Sequence, residues 1–442
     1  RVCVVTGGTG FVGARLVEML VERGAVEVRC LDIVPPPANA WRHERIKYVT
    51  GDVCDEATLD ALVEGADCVW HNAAAVGPFH PRELYFKVNY EGSLNVVRAC
   101  RKAGVPKIVM SSSPSTRFDG SDVDGLTEAE MPSLPQESYL QLYAETKAMG
   151  ELAVTSACCD ELMTCAVAPH QVYGPRDNLF LPNILEAAGT GRLRIFGSGE
   201  NRICFTHVDN YAHALVIAER ALYPGSRALG QFYIVTDGAT HPSPEGHALL
   251  WRVIDEAGVA MGFASLWQKM KLPLLLLWLA ASIAEVLSWA LGTHLKLNRF
   301  NVKVLTMHRW FDISAARHSQ RHAQRHAQRH AQRHQRLRDV AKTPARRLRA
   351  VGQLPSGGLA RLVARGAPLH TRRREQANRD LEYEPIVAYD VGWPDTLRWF
   401  RDHWLPTFSA KHSMGFAGIS DQSQAKIDVQ AAGTGAGRPK AE

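Results

Sequence analysis

Thr6-Gly7-Gly8-Thr9-Gly10-Phe11-Val12-Gly13 follows the β-branched run Val2–Thr6 and leads into the helical pattern Val12–Arg23. Within it Gly8, Gly10 and Gly13 have the G-x-G-x-x-G spacing, and Gly7 is an extra glycine. Such glycines permit a tight turn, close backbone approach to a pyrophosphate, and packing of a helix on a strand. The helix that the loop opens offers unpaired N–H groups and the positive end of its dipole to phosphate, and Phe11 and Val12 are expected among the cofactor-binding residues with the glycines. Glycine-rich turns are common, so the context matters. Here it is strand, turn, helix, and Asp32 ends the next apolar run 19 residues after Gly13. A carboxylate there can accept both hydroxyls of an adenosine ribose and would repel a 2′-phosphate. Ile33-Val34-Pro35 supplies no arginine to neutralise one. NAD is therefore expected, with NADP disfavoured.

Outward from this loop, short β-branched runs alternate with longer helical stretches as far as about Ile217. Val2–Thr6, Val28–Ile33, Cys68–Asn72, Lys107–Ser111 and Leu162–Val167 read as strands. Val12–Arg23, Ala57–Glu64, Gly92–Ala103 and Tyr139–Cys158 read as helices. The alternation predicts an α/β fold, a doubly wound parallel sheet of Rossmann type buried on both faces. A chain of 442 residues, 46% hydrophobic, is no disordered tail, collagen or small disulfide scaffold. The expected division is a nucleotide-binding domain at 1–217, holding parts of a substrate lobe from about 170. A smaller C-terminal substrate lobe follows at 218–316, then a basic insert at 317–376, the end of the lobe at 377–408, and a disordered tail at 409–442. All nine cysteines lie between Cys3 and Cys204 without a CxxC pair or a Cys/His zinc spacing. No metal site is expected, and a reduced compartment with cysteines serving as core residues accounts for them. The chain opens at Arg1, inside an apolar run and without Met, so a few preceding residues are expected.

Tyr143-Ala144-Glu145-Thr146-Lys147 sets Tyr and Lys four apart, on one face of a helix. An ammonium beside a phenol favours phenolate and is expected to draw the Tyr143 pKa towards neutrality, as removal of an alcohol proton requires. Upstream, Ser111-Ser112-Ser113 ends a strand, where a hydroxyl could hold the substrate oxygen.

Together with Gly51-Asp52-Val53, His71-Asn72-Ala73-Ala74-Ala75 and Val88-Asn89, these motifs resemble those of the extended short-chain dehydrogenases/reductases. The resemblance covers roughly 1–316 and resumes at about 377–405. It implies that Asp52 and Val53 flank the adenine, that Asn72 and Ala73 line the cofactor cleft, and that Lys147 also holds the nicotinamide ribose. Asn72 and Asn89 read equally well as turn or strand-end residues. Pro169-His170-Gln171-Val172-Tyr173-Gly174-Pro175, Thr206-His207-Val208-Asp209-Asn210 and Arg379-Asp380-Leu381-Glu382-Tyr383-Glu384-Pro385 narrow the resemblance. They are similar to the 3β-hydroxysteroid dehydrogenase family, including its sterol-4α-carboxylate 3-dehydrogenases. The implied reaction is oxidation of a sterol 3β-hydroxyl to the ketone, with Tyr143 as base, Ser113 (Ser112 as understudy) positioning the oxygen, and Lys147 tuning Tyr143. A carboxyl on the neighbouring ring carbon would then leave as carbon dioxide; a ring double bond would instead be isomerised. The sequence leaves both branches open, and a homodimer is compatible with it. Pro114 and Glu382 depart from the family pattern, Glu382 standing where the family usually has Gly at a helix end.

Leu272–Leu291 is apolar and long enough to span a bilayer, yet Ser282, Glu285 and Ser288 make one polar stripe along it. A centrally placed carboxylate costs roughly 2.5–3.5 kcal/mol on insertion scales. An in-plane or re-entrant helix on the cytosolic leaflet of the endoplasmic reticulum is the expectation, with a buried core helix as the alternative. The net charge of +6 arises from one segment: Arg317–Gln376 carries 16 basic and 2 acidic residues, which leaves the remainder at −8. Its Arg-His-Ala-Gln repeats have little to bury and read as disorder. Two other functions compete with the sterol dehydrogenase. A nucleotide-sugar epimerase or dehydratase gives no reason for the apolar segment. A nucleic-acid-binding role through the basic insert would make the Rossmann fold mere scaffold; no specific nucleic acid is expected.

Overall fold

The computed structural model describes residues 1–77, 80–291, 295, 297–313 and 380–413. The basic insert at 317–376 and the tail from 414 lie outside the described residues. Strands β1 (Val2–Thr6), β2 (Glu27–Asp32), β3 (Ile46–Thr50), β4 (Cys68–His71), β5 (Lys107–Ser111), β6 (Val123–Leu126) and β7 (Met163–Pro169) come first. They are followed by β8 (Val172–Tyr173), β9 (Arg202–Ile203), β10 (Thr206–His207), β11 (Phe232–Val235), β12 (Ala248–Leu249) and β13 (Arg309–Phe311). The helices are α1 (Phe11–Glu22), α2 (Glu56–Val63), α3 (Arg82–Tyr85), α4 (Gly92–Ala103), α5 (Leu142–Thr155) and α6 (Leu181–Gly189). After them come α7 (Val208–Ala221), α8 (Leu250–Ala260), α9 (Leu274–Leu291), α10 (Arg299–Val304), α11 (Tyr389–Trp399) and α12 (Leu405–Ser413).

Seven strands form one parallel sheet in the order β11-β7-β5-β4-β1-β2-β3. Alternate side chains of each strand feed opposite faces. Val4, Val69 and Ile108 pack towards α2, α4 and α5, through Leu59, Val96 and Val154. Cys3, Val5, Trp70 and Val109 pack towards α1 and α7, through Leu16, Leu20 and Leu215. The Trp70 indole N–H, which has no water to meet, donates to the Leu215 carbonyl at 2.9 Å. Chain order reverses between β1 and β4, so a crevice opens beyond the carboxyl ends of these strands, where ligands bind in such sheets.

β3 and β11 are additions to the expected strands. β3 intersperses Lys47 and Thr50 among Ile46, Tyr48 and Val49 at the sheet edge, which weakens its apolar signature. β11 is wholly buried but lies beyond Ile217, so the sheet draws on residues assigned at first to the second lobe. That lobe has its own core, in which Leu181, Leu185, Trp251 and Ile254 meet Trp393 and Phe400 from the chain that returns after the insert. The returning chain is clamped by Asn210: its side-chain oxygen accepts from the Ile386 and Val387 N–H groups at 2.8 Å each, and its amide donates to the Val387 carbonyl at 2.7 Å. α12 continues to Ser413, past the expected start of the tail at Ser409.

Glu382 lies exposed in the left-handed region, at φ +53°. A β-carbon there costs about 1–2 kcal/mol, partly offset because glycine loses more backbone freedom on folding. Glu382→Gly should therefore raise the unfolding free energy by about 0.5–1 kcal/mol in a urea titration. A lower midpoint would show that the side chain contributes more than its backbone strain removes.

Candidate active site

A cavity of about 830 Å³ occupies the crevice at the carboxyl ends of the parallel strands. Gly7, Gly10, Phe11, Val12 and Gly13 line it together with Asp32, Asp52, Val53, Asn72, Ala73, Ser113, Tyr143 and Lys147. The fold thus brings together the residues singled out from the sequence, with one exception. Gly8 does not face the cavity; a β-carbon on it would lie 2.4 Å from the Cys30 sulfur, so its work is to let the loop pack on β2. The cavity-facing spacing is therefore Gly7, Gly10, Gly13. Gly7 takes φ +66°, and a β-carbon there would stand 2.9 Å from the Ala73 backbone. A β-carbon on Gly13 would stand 2.1 Å from the Gly7 carbonyl oxygen. The N-terminus of α1 carries neither a side-chain cap nor an acidic residue in its first turn, leaving donors for an anion.

Asp32 is buried at the end of β2 and accepts from the Thr9 N–H at 3.1 Å and the Thr9 hydroxyl at 2.6 Å. Asp52 accepts from the Cys54 N–H and sits 3.9 Å from the Lys87 ammonium. Val53 packs near Gly92 and forms part of the wall. Asn72 lines the cavity with both amide atoms buried and without a partner among the described residues, the condition of a side chain built to bind something. Asn89 has the other fate: its amide brackets Ala75, accepting from the Ala75 N–H at 2.8 Å and donating to Ala75 O and to Thr146 Oγ1. Glycine loop, uncapped helix, ribose-side carboxylate and unpartnered amide together fit a dinucleotide.

The three serines part company. Ser111 pairs with the Tyr211 hydroxyl at 2.6 Å, and Ser112 donates to the Glu151 carboxylate at 2.5 Å. Ser113 caps the short turn Pro114–Arg117 and is hydrogen-bonded to Tyr143. Pro114 fits as the first residue of that turn. Of the triplet, only Ser113 stands beside the phenol. α5 holds Tyr143 and Lys147 on its cavity side, with Lys147 only 3% exposed. The expected drift of Tyr143 towards neutrality does not occur. Burial pushes its pKa up to about 12, only partly opposed by the Ser113 hydrogen bond. Burial also pulls the Lys147 ammonium down to about 8, against the raising influence of Glu151. Glu151 is itself held by Arg117, at 2.6 Å.

Among the cavity residues that sequence reasoning did not single out are Arg309 and His170. Arg309 on β13 is 9% exposed, its Nε–H has no partner among the described residues, and burial pulls the guanidinium down to about 10. His170 donates from Nδ1 to the Cys204 carbonyl at 2.8 Å, which leaves Nε2 as an acceptor without a partner among the described residues. Its pKa is held near 3 by burial, so the ring is neutral. A signal existed for the first: Arg309 is a lone cation inside the run Met307-His308-Arg309-Trp310-Phe311. Neighbouring Gln171 adopts φ +41°, an uncommon conformation for a residue on a cavity wall.

The model of the 3-beta hydroxysteroid dehydrogenase/isomerase family matches residues 4–268. The chain belongs to this family. It is 34% identical over 339 residues to 3beta-hydroxysteroid-dehydrogenase/decarboxylase isoform 1 of Arabidopsis thaliana, covering 72% of this chain and 74% of that one. It is 33% identical over 243 residues to the sterol-4-alpha-carboxylate 3-dehydrogenase, decarboxylating, of Homo sapiens, covering 54% of this chain and 63% of that one. Among solved structures, the epimerase Mth375 of Methanothermobacter thermautotrophicus shares the fold. Its TM-score is 0.60 at 20% identity, covering 93% of this chain and 94% of that one.

As a member of this family the chain is an oxidoreductase, and Lys147 bears on its stability in a testable way. Its pKa in the fold, about 8, lies below the ordinary 10.5, so the ammonium destabilises the folded state below pH 8. That penalty fades as pH rises from about 8 to 10.5, where the folded protein has released the proton and the unfolded chain has not. Lys147→Met should abolish activity yet raise stability at pH 7 by roughly 2–3 kcal/mol, with the advantage shrinking through that window. Equal or lower stability at pH 7 in thermal unfolding would show that the ammonium is paired in the fold.

Proposed function

We propose that this protein oxidises the 3β-hydroxyl of a 4-carboxysterol and releases the carboxyl as carbon dioxide. The observation that carries the reading is Arg309. A buried guanidinium without an anionic partner among the described residues is expensive to maintain. A ligand carboxylate in the same cavity as Tyr143 would relieve that expense. The two relatives described above have names that specify decarboxylation, one of them of a sterol-4-alpha-carboxylate. A ring double bond, as in the isomerising branch, gives Arg309 nothing to pair with. A nucleotide sugar could offer phosphate, but it does not account for the exposed apolar helix.

The cavity's glycine loop, Asp32 and Asn72 would hold NAD, which when bound supplies the hydride acceptor. Asp32 would take the adenosine ribose hydroxyls, Asp52 and Val53 the adenine edge, and Asn72 and Ala73 the inner cleft. Tyr143 receives the hydroxyl proton while Ser113 holds the alcohol oxygen in place. Because burial weakens the Lys147 ammonium, it can release its proton near pH 8 and then take up the proton that Tyr143 passes on as it receives the substrate's. The product is a β-keto acid. Its bond from C4 to the carboxyl carbon breaks, the electron pair passes into the enolate, and the Tyr143 hydroxyl can protonate the oxygen.

We also infer that α9 lies in the plane of the bilayer, on the cytosolic leaflet of the endoplasmic reticulum. Among the described residues it is the one helix long and apolar enough to cross a membrane. Only Leu277, Ala281 and Ala284 of it are buried, whereas Leu275 and Trp289 are more than four-fifths exposed. That argues against a core helix. Both ends return to the same body: Leu272 bonds to the backbone of Ile195 and Gly197, and Glu285 binds Arg299. The next strand carries Arg309 to the cavity that Tyr143 lines, which a span would place across the membrane.

Arg309→Met separates the proposed reaction from its alternatives. With a 4-carboxysterol the KM should rise about 100-fold, since an unpaired buried charge costs several kcal/mol. With a 3β-hydroxysterol lacking the carboxyl it should change less than about threefold. Equal losses on both substrates, read by NADH formation, would remove Arg309 from carboxylate recognition.

A further inference from the structure

α10 is a six-residue helix with two different neighbours. On one side Val302 is fully buried against Leu277 and Ala281 of α9. The Glu285 carboxylate of α9 accepts from both the Arg299 side chain, at 2.6 Å, and the Arg299 N–H, at 2.8 Å. On the other side Phe300 and Asn301 line the cavity that holds Tyr143 and Arg309. The polar stripe of α9 is accounted for by the same seam. Ser282 turns back to the Trp278 carbonyl, Glu285 takes Arg299, and the Ser288 hydroxyl accepts from the Leu295 N–H at 3.1 Å. The stripe therefore borders the seam with the chain that returns to α10, and the apolar face adjoining it is left outward, with Leu275, Leu279, Ile283, Val286 and Trp289 all more than half exposed.

We propose that α10 is the gate by which sterol passes directly between the bilayer and the cavity, with Phe300 as its door and the Glu285–Arg299 pair fixing it to the membrane-lying helix. The inference rests on the in-plane placement of α9. A sterol dissolves in lipid and scarcely in water, so an entry beside the lipid-facing helix removes the need for an aqueous transit. The wall of the cavity nearest that helix is a short element joined to α9 by one ion pair and by Val302, while at its far end Leu305 accepts from the Trp251 indole N–H at 3.2 Å. Through those two joints a shift of α9 in the lipid is passed to α10 and so to Phe300, whereas the walls built by the parallel sheet are packed between helices on both faces.

The test compares two ways of presenting one substrate, a 4-carboxysterol carried in phosphatidylcholine/phosphatidylserine vesicles or on cyclodextrin in solution. Glu285→Gln and Arg299→Gln are made in the full-length protein, and vesicle binding is measured by co-sedimentation. Neither residue lines the cavity. Loss of a half-exposed ion pair supports a change of about threefold to fivefold. KM for vesicle-borne sterol should rise by that factor in both variants, while KM for cyclodextrin-borne sterol, KM for NAD and vesicle binding stay within experimental error. An equal rise with both presentations, or no rise with either, would overturn the gate. Failure of the unmodified protein to co-sediment with vesicles would instead overturn the membrane placement on which the gate rests.

Discussion

The Lys147 ammonium sits almost wholly out of water on α5, and the rest of the site is arranged around the consequences. Desolvation weakens it to about 8 and lifts the neighbouring Tyr143 to about 12. In the proposed reaction burial therefore acts in opposite senses on the two groups: it eases proton release from Lys147 and hinders it at Tyr143. The same exclusion of water weakens the Arg309 guanidinium, which has no anionic partner among the described residues, and keeps His170 neutral. One cavity therefore presents a weakened ammonium, a guanidinium without an anionic partner among the described residues, and a hydrogen-bond acceptor to whatever enters it.

Keeping these groups in place depends on a second buried imidazole. The Ala73 N–H donates to Thr6 Oγ1, and the Thr6 hydroxyl meets His71 Nδ1 at 2.9 Å. His71 Nε2 meets Ser93 Oγ at 3.0 Å, and Ser93 donates to the Asn89 carbonyl. Asn89 then grips Ala75 and Thr146, the residue before Lys147. Every proton in this relay has one direction open to it, and burial holds His71 near pKa 3 so that the ring stays neutral. The loop after β1, the loop after β4 and the helix that carries Tyr143 are thereby fixed to one another. The unpartnered amide of Asn72 is part of that rigid frame, which explains how it can remain poised for a cofactor.

Much of this was legible in the sequence because it is local. A glycine loop between a strand and a helix, Asp32 at the end of the next strand, and Tyr143 and Lys147 one helical turn apart follow from spacing alone. Which glycine faces the ligand did not follow, because Gly8 is turned away by its contact with Cys30, a residue on another strand. β3 was obscured by its polar edge residues, and β11 by its position after the apparent end of the alternation. Arg309 and His170 were hidden for a deeper reason. Their importance is the absence of a partner, and partners are assigned by tertiary packing. The direction of the Tyr143 shift was misjudged on the same ground: a lysine four residues on is visible in sequence, but the amount of water excluded is not.

The claim that most needs direct measurement is that oxidation and loss of carboxyl occur together in this one cavity. Purified protein supplied with NAD and a 4-carboxysterol labelled at the carboxyl carbon should yield NADH and labelled carbon dioxide in equal amounts, with the 3-ketosterol as product. NADH without carbon dioxide, in the presence of an accumulating or isomerised ketone, would contradict the decarboxylating reading. Turnover of a nucleotide sugar with none of the sterol would contradict the whole assignment.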